Sequence, residues 1–291
     1  MQEPSWDAIR CFTVIADKGS FTDASGSLGL SVATLGRRID SLEAAVGFKL
    51  LRRGPSGTSL TDQGRSILNL AKSGALHLDQ ISRAARAINL GLTQTPVRIS
   101  STESMIADVL APNLPKLYQA VPGISVELET SNEPANLNAG NTDIAVRLAR
   151  PRADTLITRQ LQTIELGLYT SHAYLNGRDP AALQLGNEYL LWYDSAFGEI
   201  PENIWLKDAG LEQMVRLRAG SVRALTHAAT NGLGIAPLPA FLANAAKLVR
   251  IPSAPLPDRK PFLVFHRDTR NNKIMKRVRQ WIIECCEATF Q

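Results

Sequence analysis

The stretch from Ser20 to Arg53, SFTDASGSLGLSVATLGRRIDSLEAAVGFKLLRR, constrains the fold more than any other part of the chain. It reads as a short helix, a tight polar break, and a second helix that starts at a capping serine and runs into a basic segment. Gly29 permits the turn, and Ser31 can cap the next helix through its side-chain oxygen. In that helix Val32, Leu35, Ile39, Leu42 and Val46 recur at helical spacing as one apolar stripe. Thr34, Arg37, Arg38 and Ser41 fall on other faces. Upstream, Ile9, Phe12, Val14 and Ile15 supply a first helix, and Phe21, Ala24 and Leu28 continue the pattern. Any three-helix core shows such stripes. Two helices joined by so short a break can also set the second in a DNA major groove, with the first lying across the backbone.

Residues 52 to 64, RRGPSGTSLTDQG, extend this reading. Gly54, Pro55 and Gly57 force turns, and the flanking Leu50-Leu51 and Thr58-Ser59-Leu60 can pair as short strands. Beside a helix-turn-helix such a basic hairpin is a wing, with Arg52 and Arg53 placed to meet phosphate. A solvated surface turn would read the same. From about Asp62 to Leu90 comes a long helix in which Ile67, Ala71, Gly74, Leu78, Ile81, Ala85 and Ile88 alternate steps of four and three. That is a heptad seam with small residues that let helices approach, although Gly74 weakens the rod. A buried core helix keeps such a pattern for two turns; its length here favours dimerisation. A dimer would offer two recognition helices to a two-fold-symmetric operator.

Gly91 to Pro96 reads as a linker, after which strands and helices alternate. VRISS, ISVELE and DIAVRL read as strands, Ser104 to Tyr118 as a helix, and Leu137 as the start of a short helical turn. The rhythm resumes with Glu165–Thr170, Tyr189–Tyr193, a helix over Ser221–Asn231, Gly234–Leu238, Phe262–Phe265 and a last helix over Asn272–Glu287. The alternation predicts an α/β layer structure with a mainly parallel sheet. Two halves linked near Leu161–Thr170 and Pro252–Pro257 would enclose a ligand cleft.

The net charge of +5 favours a polyanionic partner. The amino terminus MQEPSWDAIR has no apolar signal core, and no uncharged run is long enough to cross a bilayer, so no membrane role and a cytoplasmic location are expected. Cys11, Cys285 and Cys286 form no disulfide or zinc framework and read as reduced thiols, with a redox role for the adjacent pair left open. His172, His227 and His266 sit in no nucleophile–base or metal-ligand pattern, and no nucleotide-binding fingerprint occurs. No catalytic function and no cofactor are expected.

Over its whole length the chain resembles the LysR-type transcriptional regulators. In the amino-terminal part the resemblance lies in Phe12, Gly19-Ser20-Phe21, Ala24, Leu28, Ser31, Arg37, Ile39 and Leu42-Glu43, then Gly47, Leu50, Arg53, Leu60-Thr61 and Gly64. Further on it lies in Pro122-Gly123, Asp143 to Arg147, Ala173-Tyr174-Leu175, Gly232 to Ala236 and Pro239. It implies an α+β protein: a winged helix-turn-helix (1–61), a linker helix that dimerises (62–91), and a bilobed α/β effector domain (92–291). That last domain would be like the type 2 periplasmic binding proteins, with lobes at 97–161 plus 268–291 and at 162–267. The implied partners are promoter DNA, a small-molecule effector and further copies of the chain, as dimer or tetramer, with RNA polymerase a candidate. The rival reading is a solute-binding protein, opposed by the DNA-binding head.

On that pattern the DNA-facing residues are Ser31, Val32, Ala33, Thr34, Arg37, Arg38, Arg52, Arg53 and Thr58. Two positions of the recognition helix depart from the family: Val32 stands where a polar residue is usual, and Gly36 where a serine is. Val32 can still meet a thymine methyl. Ligands in the resembling fold sit at the carboxyl ends of strands. This selects Ser101, Thr102, Glu103, Ser104, Thr130, Ser131 and Arg147 on one side, and Thr170, Asp194, Phe197, Ser221 and Arg223 on the other. Hydroxyls and helix-start amides suit a carboxylate, yet Glu103 would repel one. Either the acid points away or the effector carries an amine or several hydroxyls. Arg147 and Arg223 could offset it or form structural ion pairs.

Overall fold

The computed structural model describes residues 3–54, 57–89, 95–131, 142–151, 156–194, 197, 200–252 and 255–290. The expected turn at Leu137, the linker residues 91–94 and the Arg53 side chain lie outside that description. The described residues form two compact units, one running to Arg98 and including Thr142 and Asp143, the other holding the remaining residues from Ile99 onward.

In the first unit, helices α1 (Trp6–Lys18), α2 (Phe21–Leu28) and α3 (Val32–Val46) close around Phe12, Ile15, Ala24, Leu35 and Ile39, all buried. Gly29 ends α2 at φ 64°, a left-handed conformation that costs glycine little. Ser31 then opens α3 by accepting the Thr34 N–H at 3.2 Å. Strands β1 (Leu51–Gly54) and β2 (Gly57–Leu60) pair antiparallel as the wing. The wing is tied to the helices by the Thr58 N–H, which donates to the Gly19 carbonyl at 2.8 Å. At Gly57 a Cβ would stand 3.0 Å from that same carbonyl oxygen, so the approach depends on glycine.

Helix α4 (Asp62–Asn89) is continuous through Gly74, which makes room for the Trp6 ring; a Cβ there would lie 3.1 Å from it. The seam divides. Ile67 and Ala71 pack against the core of their own helix-turn-helix. Ile81 and Ile88 are exposed.

The second unit has two lobes, each with its own sheet. The first sheet runs β4-β3-β5-β12-β6, built from β3 (Val97–Ser101), β4 (Val126–Thr130), β5 (Ile144–Arg147), β6 (Leu156–Gln160) and β12 (Phe262–His266). Helix α5 (Leu114–Ala120) and the carboxyl-terminal α10 (Lys273–Thr289) belong with it. The single helix expected over Ser104–Tyr118 is instead a π-helical turn (Met105–Leu110), a 3-10 turn (Ala111–Asn113) and α5. Pro112 and Pro115 lack the N–H that an unbroken ladder requires.

The second lobe holds β7 (Leu166–Thr170) between β10 (Ala236–Pro239) and β11 (Val249–Ile251), antiparallel to both. Beside them β8 (Leu190–Tyr193) and β9 (Val215–Ala219) run parallel. Helices α6 (His172–Leu175), α7 (Pro201–Asp208), α8 (Val222–Thr230) and α9 (Ala240–Ala245) complete it around Trp192, Leu190, Leu168 and Leu225.

The sheets are mixed, not mainly parallel. Strand β12 returns beside β5 and β6, antiparallel to both, because the chain leaves the first lobe and comes back to it. The two crossing segments pair directly: Ile164 and Arg259 exchange N–H···O bonds of 2.8 and 3.0 Å, and the Leu161 N–H meets the Pro261 carbonyl. The return therefore lies at Arg259–Pro261, after the expected Pro252–Pro257. Residues 262–266 belong to the first lobe's sheet and not to a second lobe ending at 267.

Candidate functional site

The first candidate surface is the outer side of α3. Its opening turn places Ser31, Val32 and Ala33 at the surface, with Thr34 half-buried and its hydroxyl 2.9 Å from that of Ser31. Val32 is 45% exposed, so the buried stripe begins at Leu35 and Val32 does not belong to it. Arg37 is exposed. Arg38 departs from expectation: it lies at the margin of the buried face and turns to α1. There it sits 3.3 Å from the Asp7 carboxylate, with its other terminal nitrogen 3.8 Å from Cys11 Sγ. Arg52 is exposed on β1, and Thr58 is half-buried on β2.

A buried carboxylate holds the wing to α3. Glu43 accepts the Leu50 and Leu51 N–H groups at 2.8 and 3.2 Å, and Lys49 Nζ at 2.6 Å. Burial alone would raise its pKa; the donors from Lys49, Leu50 and Leu51 outweigh that and hold it below the ordinary carboxylate range. Thr61 accepts the Gly64 N–H and donates to the Lys49 carbonyl, so the wing and the start of α4 are fixed together. At Gly64 a Cβ would stand 2.2 Å from the Leu50 carbonyl oxygen, which leaves no space for a side chain.

The second candidate surface lies between the two lobes of the effector unit. Ser221 caps α8 and donates its hydroxyl to Glu103 Oε2 at 2.7 Å, so Glu103 points across to the other lobe. Two residues on from Ser221, Arg223 stands 3.8 Å from Asp108 Oδ1. Asp194 lies beside the same helix start: its Oδ2 is 3.1 Å from where a Gly220 Cβ would be. Thr102, Ser104 and Ser131 are half-buried nearby in sequence, and Thr130 is exposed. The Ser131 N–H donates to the Ser101 carbonyl.

Other expected cleft residues serve their own lobes. The Ser101 hydroxyl donates to the Val146 carbonyl, and that of Thr170 to the Gly234 carbonyl, both in buried positions. Arg147 is buried, with its terminal nitrogens bonded to the Ser100 carbonyl and hydroxyl and to the Val146 carbonyl. Burial lowers its pKa, and Glu129 opposes the shift. Phe197 packs on the second lobe's core, its ring 5.4 Å from that of Tyr193. Asp108 was missing from the sequence reading. Its signal was an acid inside the otherwise apolar run Met105–Leu110.

Burial pushes the Cys285 thiol up to about 11 and that of Cys286 up to about 12, which keeps both protonated and weakly nucleophilic at neutral pH. Among the described residues no helix is long and apolar enough to cross a membrane, and no group of histidine, cysteine or acidic side chains could hold a metal.

Residues 6–65 match the family model of the bacterial regulatory helix-turn-helix protein, lysR family, and residues 91–287 match that of the LysR substrate binding domain. The Mau operon transcriptional activator of Paracoccus denitrificans is 28% identical, the alignment covering 98% of both chains. The transcriptional activator AaeR of Escherichia coli is 27% identical over 79% of this chain and 76% of its own. Among solved structures, ArgP from Mycobacterium tuberculosis superposes with a TM-score of 0.62 at 18% identity, over 100% of this chain and 99% of that one. CrgA from Neisseria meningitidis, a LysR-type regulator, gives 0.55 at 20% identity, over 97% and 99%.

Proposed function

Since the chain belongs to the LysR family of transcriptional regulators, with a DNA-binding head and an effector-binding domain, we propose specific roles for the surfaces described above. The exposed side of α3 enters the major groove of promoter DNA. Ser31, Val32, Ala33, Thr34 and Arg37 face the bases, while Arg52, Arg53 and Thr58 of the wing meet phosphate. The observation that carries this reading is the exposure of Val32, Ala33 and Arg37 on a helix whose opposite side holds the core. Val32 favours contact with a thymine methyl, and Arg37 can pair with guanine. Arg38 has no part in it.

The effector binds between the lobes, against Thr102, Glu103, Ser104, Ser131, Asp194, Ser221 and Arg223. It works by changing how Glu103 and Ser221 hold the lobes together. Self-association uses α4, where Leu70, Ile81 and Ile88 are exposed and fall within about 20° of one another around the helix. A second contact joins the outermost strands β4 and β9 of different copies, since the acids Glu127 and Glu129 of VELET and the bases Arg216 and Arg218 of VRLRA alternate with apolar residues in the same rhythm. Two such surfaces would build a tetramer. The protein would act in the cytoplasm, where the promoter is, and RNA polymerase is a further partner if it activates as its relatives do.

A mobility shift with DNA from upstream of the protein's own gene tests the reading. Binding should exceed that to shuffled DNA by at least about a thousandfold and weaken steeply with salt. Equal affinity for both DNAs would contradict it.

A further inference from the structure

We propose that the effector domain carries a DNA contact of its own. The exposed cations Arg270, Lys273, Lys276 and Arg277, at the start of α10, hold the phosphate backbone of DNA that flanks the segment read by α3. The proposal rests on the reading of α3 and the wing as the surface that binds the operator.

The positive charge of the chain is local. Of the net +5, the stretch from Arg267 to Arg277 supplies +4, with five cations against the single acid Asp268. The helix-turn-helix and wing, residues 1–65, hold eight cations against seven acids and are nearly neutral. Arg270, Lys273, Lys276 and Arg277 are all exposed, and among the described residues no carboxylate lies within ion-pair distance of them. Asp268 is turned to His266, its Oδ2 3.2 Å from Nδ1.

The order of charges along α10 argues against an ordinary solvated face. Acids in the first turn of a helix and bases in the last complement its dipole. Helix α1 follows that order with Asp7 and Lys18, and α7 with Glu202 and Lys207. Helix α10 reverses it: Lys273, Lys276 and Arg277 crowd the positive end, and Glu284 and Glu287 lie toward the negative one. Lys273 shares one side of the helix with Lys276 and Arg277, so the three repel one another. This arrangement works against the helix, and a polyanion relieves it.

The surface is also held in one piece. The buried Arg279 donates to the Thr269 and Arg270 carbonyls at 3.2 and 2.9 Å, and its guanidinium lies 4.1 Å from the centre of the Phe265 ring. It braces the turn that carries Arg270 against the helix that carries the other three. Asn271, Asn272 and Gln280 are exposed around them, and Ile274 is the one apolar residue of the stretch to reach the surface, 36% exposed. A protein partner would seek an apolar centre, whereas so polar and cationic a face suits phosphates.

The test is binding of the full-length protein to two duplexes at a series of salt concentrations. One carries only the half-sites whose protection depends on Arg37, and the other extends them by about two helical turns on each side. The triple variant Lys273→Gln/Lys276→Gln/Arg277→Gln should bind the short duplex as the wild type does. On the long one it should lose about tenfold or more in affinity, and its salt slope should fall by about 2 to 3. Arg270→Gln should show the same selectivity in smaller measure, which keeps the test open if the triple variant folds poorly. Lys207→Gln/Lys247→Gln/Lys260→Gln removes the same charge from exposed positions elsewhere in the domain and should match the wild type on both duplexes. Arg37→Ala should weaken both alike, so a failure at α3 and a failure at α10 are read apart. Wild-type affinity of the α10 variants for the long duplex overturns the proposal; if transcription from that promoter then falls, the occupant is an acidic protein instead. An equal loss on both duplexes, or an equal loss by the control triple, overturns it as well.

Discussion

Candidate contact residues meet different fates in the two units. In the opening turn of α3, Ser31, Val32 and Ala33 stay at the surface, and four positions on Arg37 does too. At the strand ends of the effector unit, Ser101, Arg147 and Thr170 are spent on carbonyls and hydroxyls of their own lobes. Past its first turn a helix satisfies its backbone internally, so apart from the capping Ser31, which accepts the Thr34 N–H, outward side chains of α3 such as Val32 and Arg37 are not drawn to backbone groups. A strand end abuts neighbouring strands and loops that still offer carbonyl acceptors, and nearby hydroxyls and guanidiniums are drawn to them. Position at a strand end therefore does not by itself leave a side chain available to a ligand, whereas exposure on the helix leaves it available to a partner.

The comparison can be broken in several places, starting with the largest effect. Gly64→Val would drive a side chain into the Leu50 carbonyl, and it should cost more than about 4 kcal/mol and abolish DNA binding. Intact binding with an unchanged unfolding curve would show that the wing and α4 are not locked together there. Glu43→Ala removes the buried acceptor of the Leu50 and Leu51 N–H groups and its bond with Lys49, and denaturant titration at neutral pH should show a loss of about 3 kcal/mol. Because the folded-state pKa of Glu43 is lowered, its contribution is present above the ordinary carboxylate pKa and is lost as pH falls through the folded value. The gap between the wild type and Glu43→Gln should therefore narrow in acid. A gap independent of pH would refute this.

Arginines 37 and 38 sharpen the contrast within a single helix. Arg37→Ala should cost about 1–3 kcal/mol of operator binding and relax base preference at one position. Arg52→Ala should weaken binding to all sequences alike and reduce the salt slope by about 1. Arg38→Ala should leave base preference unchanged and lower stability by less than about 1 kcal/mol, as suits its partly exposed pair with Asp7. Competition binding with operator variants separates these outcomes.

Much of the head was legible in the sequence because its signals are local. Gly29, Ser31 and the Leu35–Ile39–Leu42 spacing specify the turn, the cap and the buried face within a few residues. Val32 and Arg38 misled at the edges of that stripe, where periodicity cannot say which side of the margin a side chain takes. In the effector unit the elements were legible but their pairing was not. That β12 would lie between β5 and β6 depends on a return after more than a hundred residues, and the mixed sheets follow from it. Glu103 and Ser221 were each selected by their place after a strand or before a helix. Their contact, and the part played by Asp108, required the lobes to be brought together.

The most direct test of the account is a footprint on the protein's own upstream DNA, comparing the wild type with Arg37→Ala and Arg38→Ala at one salt concentration. The wild type should protect half-sites about one helical turn apart, or a multiple of it. Arg38→Ala should protect the same bases at the same protein concentration, whereas Arg37→Ala should need about ten times more protein or more. Equal protection by both variants, or loss with Arg38→Ala alone, would contradict the assignment of the exposed side of α3 as the surface that reads DNA.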